Sequence, residues 1–423
     1  MISIILVEER IFMQSKRWSI LALCSCLASG CAASTDAYVA SYPNMVQYSE
    51  DNYEDWMDDQ ARFQDQYEGY REGLDVLDRK LLMAFMKNNF ENRTISPLNL
   101  TLALGMLAQS SSGETQKQVL DLLGVDQNDL AKKMKALWLA NYEDDGTITC
   151  KLNNSLWLSD RETYHTKLLE LLKNDYYASA YIGDMQSPAF AKKMRDWIDQ
   201  NTGDLLTNST KDLDFDPQQV MSMISTLYFK GAWLYPFDAS LTSDSFFHGK
   251  KDQNVPFMSQ TLTTSYVNSE AYEAIGLPIE NGGVFWLVLP KDSLSSLWES
   301  ESKPEEEMAI VHLAMPKFDV ERMLSLKETL QYLGVKDAFD PNTADFSPLT
   351  DASVYVEDIS HGVRVKVDEE GVEAAAFTKL DFEATALIQK EVDFVLDRPY
   401  AYVLQSKDGS MLLAGQITEI ETK

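Results

Sequence analysis

The body of this chain offers little that could turn over a substrate. Its four histidines, His165, His248, His312 and His361, stand apart from one another, and no H-x-x-x-H pair or cysteine cluster gives a metal-ligand spacing. There is no G-x-S-x-G elbow and no phosphate-cradling Walker loop, and no spacing speaks for a Ser/His/Asp triad. No cofactor, no metal and no enzymatic turnover are expected. The informative stretch is V-D-E-E-G-V-E-A-A-A-F-T-K-L-D-F-E-A-T over 367–385. After Gly371 every second residue can be buried (Val372, Ala374, Ala376, Thr378, Leu380, Phe382, Ala384), while Glu373, Lys379, Asp381 and Glu383 can stay wet. That is the period of a strand with one core face. Its buried row opens on small residues, as a chain would need if it had to slide between two strands already in place.

The elements around it must come from a large domain. The chain has 423 residues, 45% of them hydrophobic, enough for one large core or two ordinary ones. A net charge of −29 repels phosphate and sulfate backbones, which excludes nucleic acid and heparin-like partners. Three of the four cysteines, Cys24, Cys26 and Cys31, lie near the N-terminus, so Cys150 has no partner for a disulfide within the body and the core must hold the fold. No later run approaches the roughly 18 apolar residues of a membrane span. The sequons at Asn92, Asn153 and Asn208 carry no weight.

Helical stripes come first: Leu74, Leu77, Leu81 and Phe85, then 99–109, a break at Ser112-Gly113-Glu114 with a restart through Val119, Leu122 and Leu123, then 132–141, 167–175 and 189–200. The second half turns β-rich at 220–230, 272–278, 284–290, 309–320, 353–356, 363–367, 394–396 and 401–405, with a helix over 327–333 stopped by Gly334. This order predicts a single α+β domain.

Several segments resemble, in order, the signature stretches of the serpin family. They are I-S-P-L-N from Ile95 followed by T-L-A-L-G-M-L-A, N-N-S-L-W-L from Asn153, M-R-D-W-I-D-Q-N-T from Met194, and L-Y-F-K-G-A-W-L-Y-P-F from Leu227. M-P-K-F-D-V from Met315, L-G-V-K-D-A-F from Leu333 and D-R-P-Y from Asp397 follow. The resemblance implies a serpin fold: helices packed around a large central sheet, two smaller sheets and an exposed reactive-centre loop, over 74–423. It implies a loop hinge at Glu369, Glu370, Gly371, Val372, Glu373, Ala374, Ala375 and Ala376, a shutter at Ser96, Asn99, Ser225 and His361, and a breach at Trp233, Lys317 and Glu369. Relative to the family pattern, Asn99 and Ser225 have exchanged types, an exchange that can keep one hydrogen bond. Val372 replaces the usual Thr and faces inward. Phe377 replaces a small residue, and parity sends it to the outer face. Gly371 allows a hinge its change of φ, and the alanines lose almost no side-chain entropy on insertion.

Counted from Gly371 and back from the Phe394 and Arg398-Pro399 anchor, the scissile bond falls at Thr385–Ala386, with Ala384 and Leu387 within range. The small run Ala384-Thr385-Ala386 suits a shallow apolar pocket. The implied protein is therefore a suicide-substrate inhibitor of an elastase-like serine protease, with a cysteine protease as a further possible target. A non-inhibitory serpin acting as a binding module is the alternative. A monomer is expected.

The N-terminus reads as a targeting segment. Lys16 and Arg17 form a basic region before an apolar run, and Leu27-Ala28-Ser29-Gly30-Cys31 resembles a bacterial lipoprotein lipobox. Glu8 and Glu9 suit no signal, which places the start of translation at Met13. Residues 1–30 are then a signal peptide, and Cys31 is lipidated and tethers the protein to the cell envelope, with simple secretion as the alternative. The acidic stretch 31–73 is expected to be a flexible tether.

Overall fold

Among the helices of the N-terminal half are α1 (Tyr53–Gln64), α2 (Leu74–Met86) and α3 (Pro97–Ser110). A helix that is apolar on all sides belongs in a core, and every residue of α3 except Gln109 is buried. Ser96 caps it, its Oγ accepting from the Asn99 N–H at 3.2 Å, and Pro97 at the first turn costs no hydrogen bond. The computed structural model describes residues 37–86, 90–204, 206–280, 282–300, 305–373 and 390–421, all within the compact unit Thr35–Lys423.

Above α3 lies an eight-stranded sheet. Its members are β1 (Ala37–Tyr38), β2 (Glu143–Asp144), β3 (Thr149–Ser159), β4 (Ala178–Gly183), β5 (Met221–Ala232), β6 (Phe318–Ser325), β7 (Ile359–Val367) and β8 (Gly371–Val372). The spatial order is β1-β4-β3-β5-β8-β7-β6, with β2 on β3 and an additional direct pairing of β5 with β7. Helix α4 (Pro188–Asn201) covers the other face. Its Phe190, Met194 and Trp197 pack with Trp157 of β3, Tyr181 of β4 and Ile224 of β5 in a separate apolar cluster. A second, nine-stranded sheet includes the strands Tyr272–Pro278, Val284–Pro290, Tyr400–Gln405 and Met411–Ile417, and a short helix, α5 (Leu294–Glu299), packs near α2. This is the α+β architecture expected.

Two expectations need correction. The stretch 37–73 is not a free tether. Ala37 and Tyr38 add to the edge of β4, and α1 buries Trp56, Gln60 and Phe63 at one-turn spacing. Asp145, fully buried, accepts from Trp56 Nε1 at 2.8 Å and Gln60 Nε2 at 3.0 Å. Composition misled because the helix docks through aromatic and polar side chains rather than an aliphatic stripe. The run 353–356 forms no strand. Val354 and Val356 are buried, but Val356 N–H donates to Ala338 O at 2.9 Å instead of joining a ladder.

Candidate functional site

Strands β7 and β8 form a tight hairpin. Val367 pairs with Val372, and Asp368 N–H donates to Gly371 O at 3.1 Å. On its other side β8 pairs antiparallel with β5, Gly371 opposite Ala232 and Val372 opposite Gly231. Below that point β5 and β7 pair directly and in parallel, from Ile359 opposite Met223 to Val363 opposite Leu227. The central sheet is therefore parted at its top by two residues and closed beneath them. Val372 is 1% exposed, so its apolar side chain does face the core. Gly371 lies in strand conformation. The left-handed residue is Glu373 (φ 53°), two positions on, so the backbone strain sits where a side chain must bear it. Burial pushes the Glu373 carboxyl up to about 7, and Asp319 adds to this while Arg364, Lys366 and Lys230 oppose it.

At the top of the parted strands Trp233 is buried and tied to the turn after β7. Its N–H donates to Glu370 O at 3.0 Å and its Nε1 to Asp368 O at 2.9 Å. Glu369 accepts from Lys317 Nζ at 3.1 and 3.2 Å and from Thr242 Oγ1 at 2.8 Å. Burial alone would raise the Glu369 pKa, but the Thr242 hydroxyl and the Lys317 ammonium hold it below the ordinary value.

Where β5 and β7 meet, the four residues Ser96, Asn99, Ser225 and His361 come together and all are fully buried. Asn99 Nδ2 donates to Ser225 Oγ and to Thr226 O, both at 2.8 Å, and Asn154 Nδ2 donates to Asn99 Oδ1 at 3.0 Å. Ser96 N–H donates to His361 Nε2 at 3.0 Å, which makes that nitrogen an acceptor and leaves Nδ1–H to donate to Ser225 Oγ at 3.2 Å. Burial pushes the His361 pKa down to about 3, so the ring is neutral.

Ala374, Ala375, Ala376, Phe377, Thr385, Ala386 and Cys31 lie outside the described residues. Three partners escaped the sequence reading: Thr242, Asn154 and Asp368. Thr242 and Asp368 act through one side-chain oxygen and one carbonyl in ordinary loop sequence, which no pattern marks. Asn154 stood inside the quoted N-N-S-L-W-L segment, where an asparagine pair in an apolar strand was the available signal. The outer face of the sheet also differs from expectation. Beside β5 it is roofed by α4 and Leu206 rather than open to water.

A parallel pair parted at its top, a short strand wedged into it and a buried polar cluster beneath together make up the site. Residues 78–420 match the family model described as Serpin (serine protease inhibitor), and the chain belongs to that family. It is 25% identical over 363 residues to an uncharacterized serpin-like protein of Methanosarcina acetivorans, covering 80% of this chain and 84% of that one. It is likewise 25% identical over 349 residues to the plasma serine protease inhibitor of Bos taurus, covering 78% and 85%. Among solved structures, the thermophilic serpin tengpin in its native state superposes with a TM-score of 0.74 at 21% identity, covering 90% of this chain and 97% of that one.

Proposed function

We propose that this serpin is an irreversible suicide-substrate inhibitor of serine proteases with elastase-like specificity, cut at Thr385–Ala386. The observation that carries the reading is the wedge of Gly371 and Val372 between β5 and β7. Extending its register downward gives each loop residue neighbours. Ala374 comes beside Phe229 and Val365, Ala376 beside Leu227 and Val363, Thr378 beside Ser225 and His361, and Leu380 beside Met223 and Ile359. These neighbours are all buried, so the alternation seen in the sequence meets a continuous core-facing lane.

In the proposed sequence, the protease serine attacks the Thr385 carbonyl and the peptide bond to Ala386 breaks. An ester joins Thr385 to the protease, and the new amino terminus at Ala386 departs. The freed hinge then replaces the five direct β5–β7 pairs. About 14 residues at roughly 3.3 Å each would carry the protease on the order of 45 Å. Deacylation fails on the distorted enzyme, so the native state has to be a kinetic trap. Incubation with pancreatic elastase tests this. An SDS-stable covalent band is expected, and clean loop cleavage without it would assign the chain to the non-inhibitory, binding class. A lipid at Cys31 would hold the inhibitor at the cell envelope.

A further inference from the structure

Three cations bear on Glu373: Arg364, Lys366 and Lys230. Two of them are already matched. Arg364 of β7 forks onto Asp319 of β6 at 2.7 and 2.6 Å, and Lys366 of β7 pairs with Asp368 at 2.9 Å. Lys230 of β5 is half-buried and forms no ion pair or side-chain hydrogen bond among the described residues. The strand register sets it opposite Glu373. Strand β8 runs antiparallel to β5 with Gly371 against Ala232 and Val372 against Gly231, so the next pair is Glu373 with Lys230.

Glu373 has entered the ladder on one flank only. Its N–H donates to Lys366 O of β7 at 3.0 Å. On the β5 flank the pairing ends at Val372, and the left-handed φ of 53° at Glu373 turns the chain out of strand geometry. The half-buried carboxyl takes no hydrogen bond or ion pair from a described side chain. An unpaired carboxyl and an unpaired ammonium therefore hold facing register positions without meeting. Were residue 373 extended, its side chain would stand on the outer row between Lys230 and Lys366, where opposite charges on neighbouring strands attract.

We propose that Glu373 is the positioning residue of loop entry: it relaxes to strand geometry as insertion begins, and its carboxylate closes on Lys230 and holds the new strand against β5. This rests on the insertion proposed above and names the contact that starts it. Relaxation also releases the backbone strain stored at a left-handed residue with a side chain.

Entry is then linked to pH. The groups facing Glu373 are Arg364 and Lys366 from β7, Lys230 and Tyr228 from β5 and Asp319 from β6, with Asp144 beyond Tyr228. Asp319 holds Arg364 above its ordinary value, Asp368 does the same for Lys366, and burial raises Tyr228. Glu373, pushed up to about 7 by burial in the native chain, changes charge near neutrality. The native form holds a proton that the inserted, Lys230-paired form gives up, so raising the pH through 7 favours insertion.

The test uses the whole protein and pancreatic elastase at pH 8, with Glu373→Gln, Lys230→Met, the double variant and Lys230→Arg. Titration of residual elastase activity gives the number of inhibitor molecules cleaved per protease trapped. Each single loss of charge is expected to raise that number about threefold, the size of a partly exposed ion pair. The double variant should be no worse than the worse single, and Lys230→Arg should stay near the wild type. The rise in melting temperature on loop cleavage is the second readout. It should be larger at pH 8 than at pH 5.5 in the wild type and equal at the two values in Glu373→Gln. A Lys230→Met variant that traps as the wild type does, singles whose effects multiply in the double, or an equal rise at both pH values in the wild type overturns the latch and leaves the inhibitory reading standing. A wild type that traps no elastase and gains no heat resistance on cleavage overturns both. Should cleavage stabilise without trapping, inhibition falls, and the latch is decided by the same variants on the melting temperature of the cleaved chain.

Discussion

Asn99 and Ser225 are joined by a 2.8 Å hydrogen bond that ties the buried helix α3 to the strand that must move if the loop enters. The bond survives the exchange of residue types relative to the family pattern because either side chain can donate to the other. Asn99 also holds Thr226 O and accepts from Asn154, so its removal strands several buried groups. Asn99→Ala should destabilise the native state by about 2–3 kcal/mol. The paired exchange Asn99→Ser with Ser225→Asn should recover part of that loss. Urea melts of the two singles and the double give the coupling energy, and strict additivity would rule out the bond as the link between helix and strand.

Glu373 makes the hinge sensitive to pH. Its folded pKa, about 7, lies above the ordinary 4.5, so the folded protein holds its proton over a range where the unfolded chain has lost it. The stabilising contribution is fully present below about 4.5 and is lost as pH rises through 7. Glu373→Gln should flatten the dependence of the melting temperature on pH between 5 and 8, values chosen to span the folded pKa. The protection of the Val372 amide, taken relative to the intrinsic base-catalysed exchange rate, should fall over the same window in the wild type only.

Asp78 has the same sign for the same chief reason, burial. Its carboxyl, raised to about 8 chiefly by burial, disfavours the folded state increasingly as pH climbs from 3.8. Asp78→Asn should therefore raise the melting temperature at pH 8 and leave it nearly unchanged at pH 4. Equal shifts at both values would mean that the gain comes from packing instead of charge.

Helix α1 is structural rather than a passive leader. Trp56→Ala removes a buried indole and one of the two side-chain donors from α1 to Asp145. A loss of about 3 kcal/mol is expected, measured by urea melts. A tether would show no change. The first described strand starts at Ala37, so a lipid at Cys31 would stand at most about 20 Å along the chain from it.

The path from sequence to site was uneven for physical reasons. Strands Tyr272–Pro278 and Val284–Pro290 stood out because β-rich apolar runs bounded by turns are a local signal. Asn99 was visible as part of a resembling segment, while Ser225 and His361, which lie in none of the quoted stretches, entered only through what the family resemblance implies, since a buried polar cluster has no periodicity of its own. The placing of β5 beside β8 and β7 lay beyond any local pattern because β5 is more than a hundred residues from both. The strain at Glu373 was missed because glycine was the natural residue to suspect, and backbone angles depend on the hairpin that closes around them.

If the loop inserts as proposed, Phe377 is the residue on which the depth of insertion turns. Parity sends it to the outer face, and the register from Val372 brings it beside Thr226 and Gly362. That face is not open there. A methyl group at Gly362 would meet Leu206 Cδ1 at 2.7 Å and Met323 Sδ at 3.0 Å. A phenyl ring arriving between these strands has to displace Leu206 or Met323, which slows insertion while deacylation continues. Overpacking of this kind costs about 1–3 kcal/mol. Phe377→Ala should therefore lower the number of inhibitor molecules cleaved per protease trapped, several-fold, without changing where the loop is cut. Titration of residual elastase activity reads the ratio, and mass spectrometry of the released C-terminal peptide reads the bond. An unchanged ratio would show that the roof yields freely and that Phe377 is a harmless passenger.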